Sequence, residues 1–278
     1  TIGETKLKEG ASALDAIEQV IRYLENHPRF NAGRGAVLTS KGEHELDAAI
    51  MDGSTREAGA ITGIRTVKNP ITLARKVMNQ SRHILFSADG AEAFADQTNV
   101  ERVENSYFTT PRRKESWKRA KERYEGQSYR NSAGPDAPER IYKDLPLGTV
   151  GCVALDKDGK LAAGTSTGGL TYKEYGRVGD VPIIGAGTYA DSVVAVSATG
   201  IGEEIMRNLS GFHVSSYMQY ADAPLSEAAD HVIHTRMNEG EAGLISVDSE
   251  GNIHMPFNTN GMYRAAANSK GVRKVAIW

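Results

Sequence analysis

Residues 144 to 170 read DLPLGTVGCVALDKDGKLAAGTSTGGL, and an alternating, β-like run begins abruptly at Thr149, directly after Gly148. A threonine hydroxyl is a weak nucleophile unless a base stands beside it. One solution needs no second residue. If the peptide bond ahead of the threonine is cut, its own freed α-amine, with a pKa of about 8, becomes that base. Such a cut needs an exposed bond, a pliable arm upstream and a threonine held at a strand end. Gly148-Thr149 offers all three, and glycine tolerates a strained backbone at the scissile bond. The plainer alternative is that Thr149 merely opens a strand, where β-branched residues are common.

Three further fragments carry chemistry. TSTGG ends one strand later, so hairpin pairing could return Thr167 to Thr149, where a second hydroxyl would orient the first. A simple Thr/Gly turn is the other reading. GRVGD, residues 176 to 180, sets Arg177 and Asp180 in one glycine-flanked loop. They could pair with each other. They could also divide the work, Arg177 binding a carboxylate and Asp180 an ammonium, as the zwitterionic end of an amino acid requires. SATGIGEE ends a strand at Thr199-Gly200 and opens a helix. Its exposed N–H groups suit an oxyanion, with a phosphate cradle as the competitor.

The elements that must hold these residues are legible in part. Leu14, Ile17, Ile21 and Leu24 recur at helical spacing over 11 to 26. The stretch 35 to 53 reads as a hairpin turning at Ser40-Lys41-Gly42, and AGAITGIRTV as a third strand. Asn69-Pro70 opens a helix reaching Met78. HILF reads as a short buried strand, with a helix from about Ala88 and a charged helix over 112 to 125. Periodicity then fails from 126 to 146, which reads as a mobile linker. TVGCVALD and KLAAGTST follow as strands joined by an Asp-Gly turn. PIIGAG and DSVVAVSAT are further strand candidates, GEEIMRNLS a helix, 225 to 238 a long helix, AGLISVDSEGNIHMPF a strand pair and VRKVAIW a last strand. Strands and helices in blocks suggest α+β layering.

Composition sets outer bounds. The 278 residues are 40% hydrophobic, and the formal charge is −2. That charge makes no electrostatic case for nucleic acid or an anionic membrane as a partner. No apolar run is long enough to span a bilayer. The one cysteine, Cys152, excludes an internal disulfide and fits a reducing, cytoplasmic setting, with the periplasm or another compartment still open. Asn79-Gln80-Ser81 and Asn208-Leu209-Ser210 match the glycosylation pattern by chance, since both fall in or beside helices.

FNAGRGAV, HELDAAIMDG, GTVG, TSTGG, GRVGD, GAGTYA, TGIGE and PFNTNGMYRA, taken in order, closely resemble the plant-type asparaginase/isoaspartyl aminopeptidase family of N-terminal nucleophile hydrolases. The likeness covers nearly the whole chain. It implies a single domain, residues 1 to 278, folded as a four-layer αββα sandwich. It implies self-cleavage into an α chain, 1 to 148, and a β chain, 149 to 278, assembled as a dimer of αβ heterodimers. It implies Thr149 as nucleophile with Thr167 assisting. Arg177 and Asp180 would bind the substrate's α-carboxylate and α-amine, with Gly202 helping through its carbonyl. Thr199 and Gly200 would form the oxyanion hole, and Asn31 would lie near the active threonine. The substrates implied are L-asparagine and β-aspartyl dipeptides. No cofactor is implied for catalysis. The loop around Leu24 to Arg34 looks like that family's structural sodium loop, with carbonyls of Leu24, Glu25, His27, Phe30, Ala32 and Arg34 as ligands.

Members of that family usually open with a strand ending in a His-Gly-Gly-Ala-Gly-like run. Thr1 already lies near the first helix, so that strand is absent here or differently supplied, and its loss would expose a sheet edge and could impair self-cleavage. Glycosylasparaginase is the nearest rival. Its usual Asp-Thr cleavage pair and TSTNG run are replaced here by Gly148-Thr149 and TSTGG. An uncut, catalytically silent amino-acid binder is the alternative from another class.

Overall fold

The computed structural model describes residues 2–126 and 148–278. Two helices, α1 (Ile2–Lys8) and α2 (Ala13–Glu25), come first. Ser12 caps α2, its side chain accepting the Asp15 N–H, and the apolar face expected from the spacing is buried through Ile17 and Ile21. Strands β1 (Leu46–Asp52) and β2 (Ala58–Ile64) follow, then α3 (Pro70–Gln80), β3 (Leu85–Ser87), α4 (Ala88–Asp96) and α5 (Pro111–Gly126). Pro70 stands at the first turn of α3, where its missing N–H costs nothing.

After the undescribed residues come β4 (Val150–Leu155), β5 (Leu161–Thr167), β6 (Thr188–Ala190) and β7 (Val194–Gly200). Helices α6 (Gly202–Asn208), α7 (Ser210–Ala221) and α8 (Leu225–Asp230) lead to β8 (Ala242–Asp248) and β9 (Ile253–His254), and the hairpin β10 (Arg264–Ala267) and β11 (Arg273–Ala276) ends the chain.

The first sheet runs β3-β2-β1-β5-β4 and the second β6-β7-β8-β9. Helices α2 and α3 cover the outer face of the first sheet. The inner faces meet where β5 lies on β6 and β7, and β4 on β7 and β8. Helices α7 and α8 cover the second sheet. The result is the expected four-layer αββα sandwich. Each interlayer space has its own apolar filling. Ile17, Ile21, Ile50 and Ile61 lie under α2 and α3, Met51, Leu161, Ala163 and Tyr189 lie between the sheets, and Val194, Leu244, Val232 and Ile233 lie under α7 and α8. β1, from before Gly148, pairs antiparallel with β5, from after it, Asp47 standing opposite Thr167.

Several sequence expectations fail locally. The run before Ser40-Lys41-Gly42 forms no strand. Its backbone is taken by irregular partners instead, Leu38 O accepting the Tyr172 N–H and the Ser40 N–H donating to Lys173 O. β3 is an edge strand with Leu85 exposed, not a buried one. PIIGAG is a turn, in which Gly187 and Ile183 both donate to Asp180 O. The helix expected over 225 to 238 ends at Asp230 and passes into a π-turn, His231–Thr235. The expected linker lies, apart from Gly126, outside the described residues. Among the described residues no helix is long and apolar enough to cross a membrane.

Candidate active site

β4 and β5 are joined by the turn at Lys157-Asp158-Gly159, and their antiparallel register sets Val150 opposite Ser166. Continued by one residue, that register puts Thr149 opposite Thr167. Their hydroxyl oxygens are 3.1 Å apart. The Gly169 N–H donates to Thr167 Oγ1 at 3.1 Å, which orients the Thr167 hydroxyl to donate toward Thr149. β-Branched threonines with few χ1 options hold this contact with little loss of freedom.

Asn31 locks the floor. Its N–H donates to Gly148 O at 2.9 Å, its Nδ2 donates to Gly169 O at 2.7 Å, and its Oδ1 accepts the Val37 N–H at 2.9 Å. One residue thus ties the loop after α2 to both the Gly148-Thr149 bond and the turn after Thr167. A narrow pocket opens here, walled by Thr149, Thr167, Gly169, Arg177, Asp180 and Gly200.

Arg177 and Asp180 do not pair with each other. Arg177 donates through Nε and Nη2 to Glu203, at 2.9 and 2.8 Å. Burial works to raise the Glu203 carboxyl, but its guanidinium partner prevails and holds it below the ordinary range. Asp180 is buried and its Oδ2 has no hydrogen-bond partner. Burial, with the negative charges of Glu203 and Asp47 adding to it against the pull of Arg177, pushes its pKa up to about 7. A buried carboxyl group in the wall of this pocket, with one oxygen short of a donor, suits a cation.

Gly200 closes the pocket at the end of β7 with φ at 151°, and a Cβ there would stand 2.2 Å from Glu241 O. Thr199, one residue earlier in the same strand, does not wall the pocket. Gly202 also stands behind it, where a Cβ would meet Arg177 Nη2 at 2.7 Å and Asp180 Oδ1 at 2.9 Å. Its lack of a side chain lets both charged groups approach its backbone. Sequence reasoning did not foresee Glu203, although acids in the first turn of that helix were visible. Nor did it foresee Gly169 as the donor to Thr167, which only the register reveals.

In the loop expected to hold sodium, carbonyls turn inward over two glycines. A Cβ on Gly33 would lie 2.5 Å from Glu25 O, and one on Gly35 2.6 Å from Pro28 O and 2.8 Å from Phe30 O. Glu25 O also accepts the Arg34 N–H at 2.7 Å. Three of the six expected ligand carbonyls already accept N–H groups, Leu24 O from His27, Glu25 O from Arg34 and His27 O from Phe30, each keeping a second lone pair for a cation. Among the described residues no cluster of three His, Cys, Asp or Glu side chains could hold a metal ion.

A family model described as Asparaginase matches residues 1–277. The chain belongs to that family. Among its relatives, an Arabidopsis thaliana protein named probable isoaspartyl peptidase/L-asparaginase 2 is 47% identical over 290 residues, covering 100% of this chain and 89% of the relative. An Escherichia coli isoaspartyl peptidase is 46% identical, covering 95% of this chain and 81% of its own. A plant-type L-asparaginase from Pyrococcus abyssi is 42% identical, covering 94% and 84%. As an asparaginase-family chain it carries the N-terminal nucleophile hydrolase fold, which the four layers above display.

Proposed function

We propose that this chain is a hydrolase of the side-chain amide of L-asparagine and of β-aspartyl dipeptides, working through Thr149 after self-cleavage at Gly148-Thr149. The observation that carries the reading is the contact of Thr149 and Thr167 beside a buried, unpartnered Asp180 carboxylate. The same pocket presents a nucleophile and an ammonium receptor.

Self-cleavage begins when the Thr149 hydroxyl attacks the Gly148 carbonyl carbon. The acyl group moves from nitrogen to oxygen, the hydroxyl proton ends on the freed amine, and an ester joins the two chains. Water then adds to the ester carbon. Gly148 keeps a carboxylate, and Thr149 regains its hydroxyl with an α-amine beside it. The Asn31 N–H already donates to the Gly148 oxygen where charge develops. The α chain, 1 to 148, and the β chain, 149 to 278, stay together because β1 and β5 pair across the cut.

In turnover the Thr149 amine takes the hydroxyl proton as oxygen attacks the substrate's side-chain carbonyl. Thr199 and the Gly200 N–H stabilise the oxyanion, and the leaving ammonia or amine receives the proton. Water repeats the sequence on the β-aspartyl ester and releases aspartate. Arg177 binds the α-carboxylate and Asp180 the α-ammonium, which together place the β-amide at Thr149. Gly202 assists with its carbonyl. A sodium ion held by carbonyls of Leu24, Glu25, His27, Phe30, Ala32 and Arg34 would shape the loop carrying Asn31 and take no part in the reaction. Two αβ units assemble as a dimer, in a reducing compartment such as the cytoplasm.

Thr149→Ala tests the reading. It should leave one chain of about 30.0 kDa on a denaturing gel, where the parent gives two. Two fragments from the alanine variant would sink it.

A further inference from the structure

Arg113, on α5, is a buried cation with no anion among the described residues. It is 2% exposed. Its Nε donates to Gly35 O, and its Nη1 has no hydrogen-bond partner. Among the described residues no carboxylate pairs with it. Burial lowers its pKa to about 10, which leaves it charged at neutral pH. A guanidinium kept charged, buried and half-used is costly unless an anion meets it at some stage.

The group beside it is Gly148. A methyl placed on Gly148 would stand 3.6 Å from Arg113 Nη2, and 3.3 Å from Asn31 N. In the uncut chain the Gly148 carbon is a neutral amide with its oxygen held by the Asn31 N–H. Cutting the bond turns that carbon into a carboxylate. One oxygen can keep the Asn31 N–H, which leaves the second for another donor, and the Arg113 guanidinium reaches Gly148 with Nη2, which makes no hydrogen bond among the described residues. Arg177, which walls the active-site pocket, is already engaged on two nitrogens by Glu203.

We propose that Arg113 is the binding site for the carboxylate that self-cleavage creates on Gly148. This rests on reading Gly148-Thr149 as the self-cleavage bond. The chemistry is that of a carboxylate produced in place and captured by a pre-positioned guanidinium. Capture favours the cut products over the ester, and it keeps the new chain end from lodging on Arg177, where the substrate's carboxylate must bind.

The test is carbon-13 NMR of the whole protein labelled with [1-13C]glycine. Cleavage should add one glycine carboxylate resonance, and in the parent its line should be as broad as those of the folded core. In Arg113→Gln the line should narrow to that of a free chain end. In Arg113→Lys, which keeps the charge, it should stay broad, and this variant covers the case in which the glutamine protein does not fold. A narrow line in the parent or in Arg113→Lys overturns the proposal, and so does a broad one in Arg113→Gln. If the parent shows no carboxylate resonance and a single band on a gel, the self-cleavage reading itself fails and the proposal falls with it. Two bands with a narrow line dispose of the proposal alone.

Discussion

Arg177 is gripped by Glu203, from the first turn of α6, through both Nε and Nη2, and not by Asp180 three residues along its own loop. That pair fixes the guanidinium plane and leaves Nη1 facing Gly169 and Gly179, where added Cβ atoms would lie 3.5 and 2.8 Å away. A substrate carboxylate therefore meets an arginine already oriented. The pair is only partly buried, so its orienting effect is worth about 1 kcal/mol. Glu203→Ala should raise KM by about fivefold and leave kcat nearly unchanged. Arg177→Ala should raise KM by roughly ten- to a hundredfold, since a charge-assisted contact is lost outright. If Glu203→Ala lowered KM, the carboxylate would be a competitor of the substrate and not a brace.

The Thr149–Thr167 contact supports both self-cleavage and turnover. Thr167→Val keeps shape and branching but removes the hydroxyl. One hydrogen bond of about 1 kcal/mol should slow each reaction by roughly five- to tenfold. Thr167→Ser should restore most of the rate. Time courses on gels follow the first reaction, and aspartate release the second. Equal rates in the valine and parent proteins would remove Thr167 from the mechanism.

Much of this site was legible because it is local. Thr149 and Thr167 lie one hairpin apart, and the Asp-Gly turn fixes their register. Arg177 and Asp180 share a loop. The layers were legible as well, since blocks of strands and helices with strong periodicity admit few packings. What the sequence hid depends on contacts across the fold. The stretch 36 to 39 looks like a strand, but its bonds scatter, Leu38 O going to Tyr172, the Val37 N–H to Asn31 and the Thr39 N–H to Glu43. Glu203 looks like a dipole-complementing acid at a helix start, and only the turn from β7 into α6 aims it at Arg177. Arg113 sits among the exposed charges of Arg112, Lys114, Glu115, Lys118 and Arg119, and nothing in that run marks it as buried.

Asp180 carries a cost to the fold. Its carboxyl is raised from 3.8 to about 7, first of all by burial. Below about pH 4 the group is neutral folded or unfolded, and its effect on stability is nil. Between about 4 and 7 the unfolded chain releases a proton that the folded chain retains, so stability falls as pH rises. Above 7 the full penalty remains, no more than roughly 4 kcal/mol for a rise of this size. Asp180→Asn never ionises. Its Tm should exceed the parent's at pH 8, and the gap should close as pH approaches 4. Glu25, also raised to about 7 by burial, shifts both proteins alike and cancels. The same variant should lose substrate binding. An asparagine variant less stable than the parent at pH 8 would mean that Asp180 is paired in the folded protein.

The pH dependence of turnover separates two protons. The Thr149 amine must be neutral to accept the hydroxyl proton, and an ordinary α-amine titrates at about 8. Asp180 must be ionised to receive the substrate's ammonium, and in the free protein it titrates at about 7. Both losses fall on the acid side. The profile of kcat/KM reports the free enzyme, so log kcat/KM should drop with a slope approaching two below pH 7. The profile of kcat reports the complex, in which the bound ammonium holds Asp180 ionised, so its slope should be one. A slope of one in both profiles would show that Asp180 is already charged when the substrate arrives. Acetylating the new N-terminus at Thr149 should abolish turnover without changing the fold. EDTA should leave the rate unchanged, because every proton in this scheme moves between Thr149, the substrate and water.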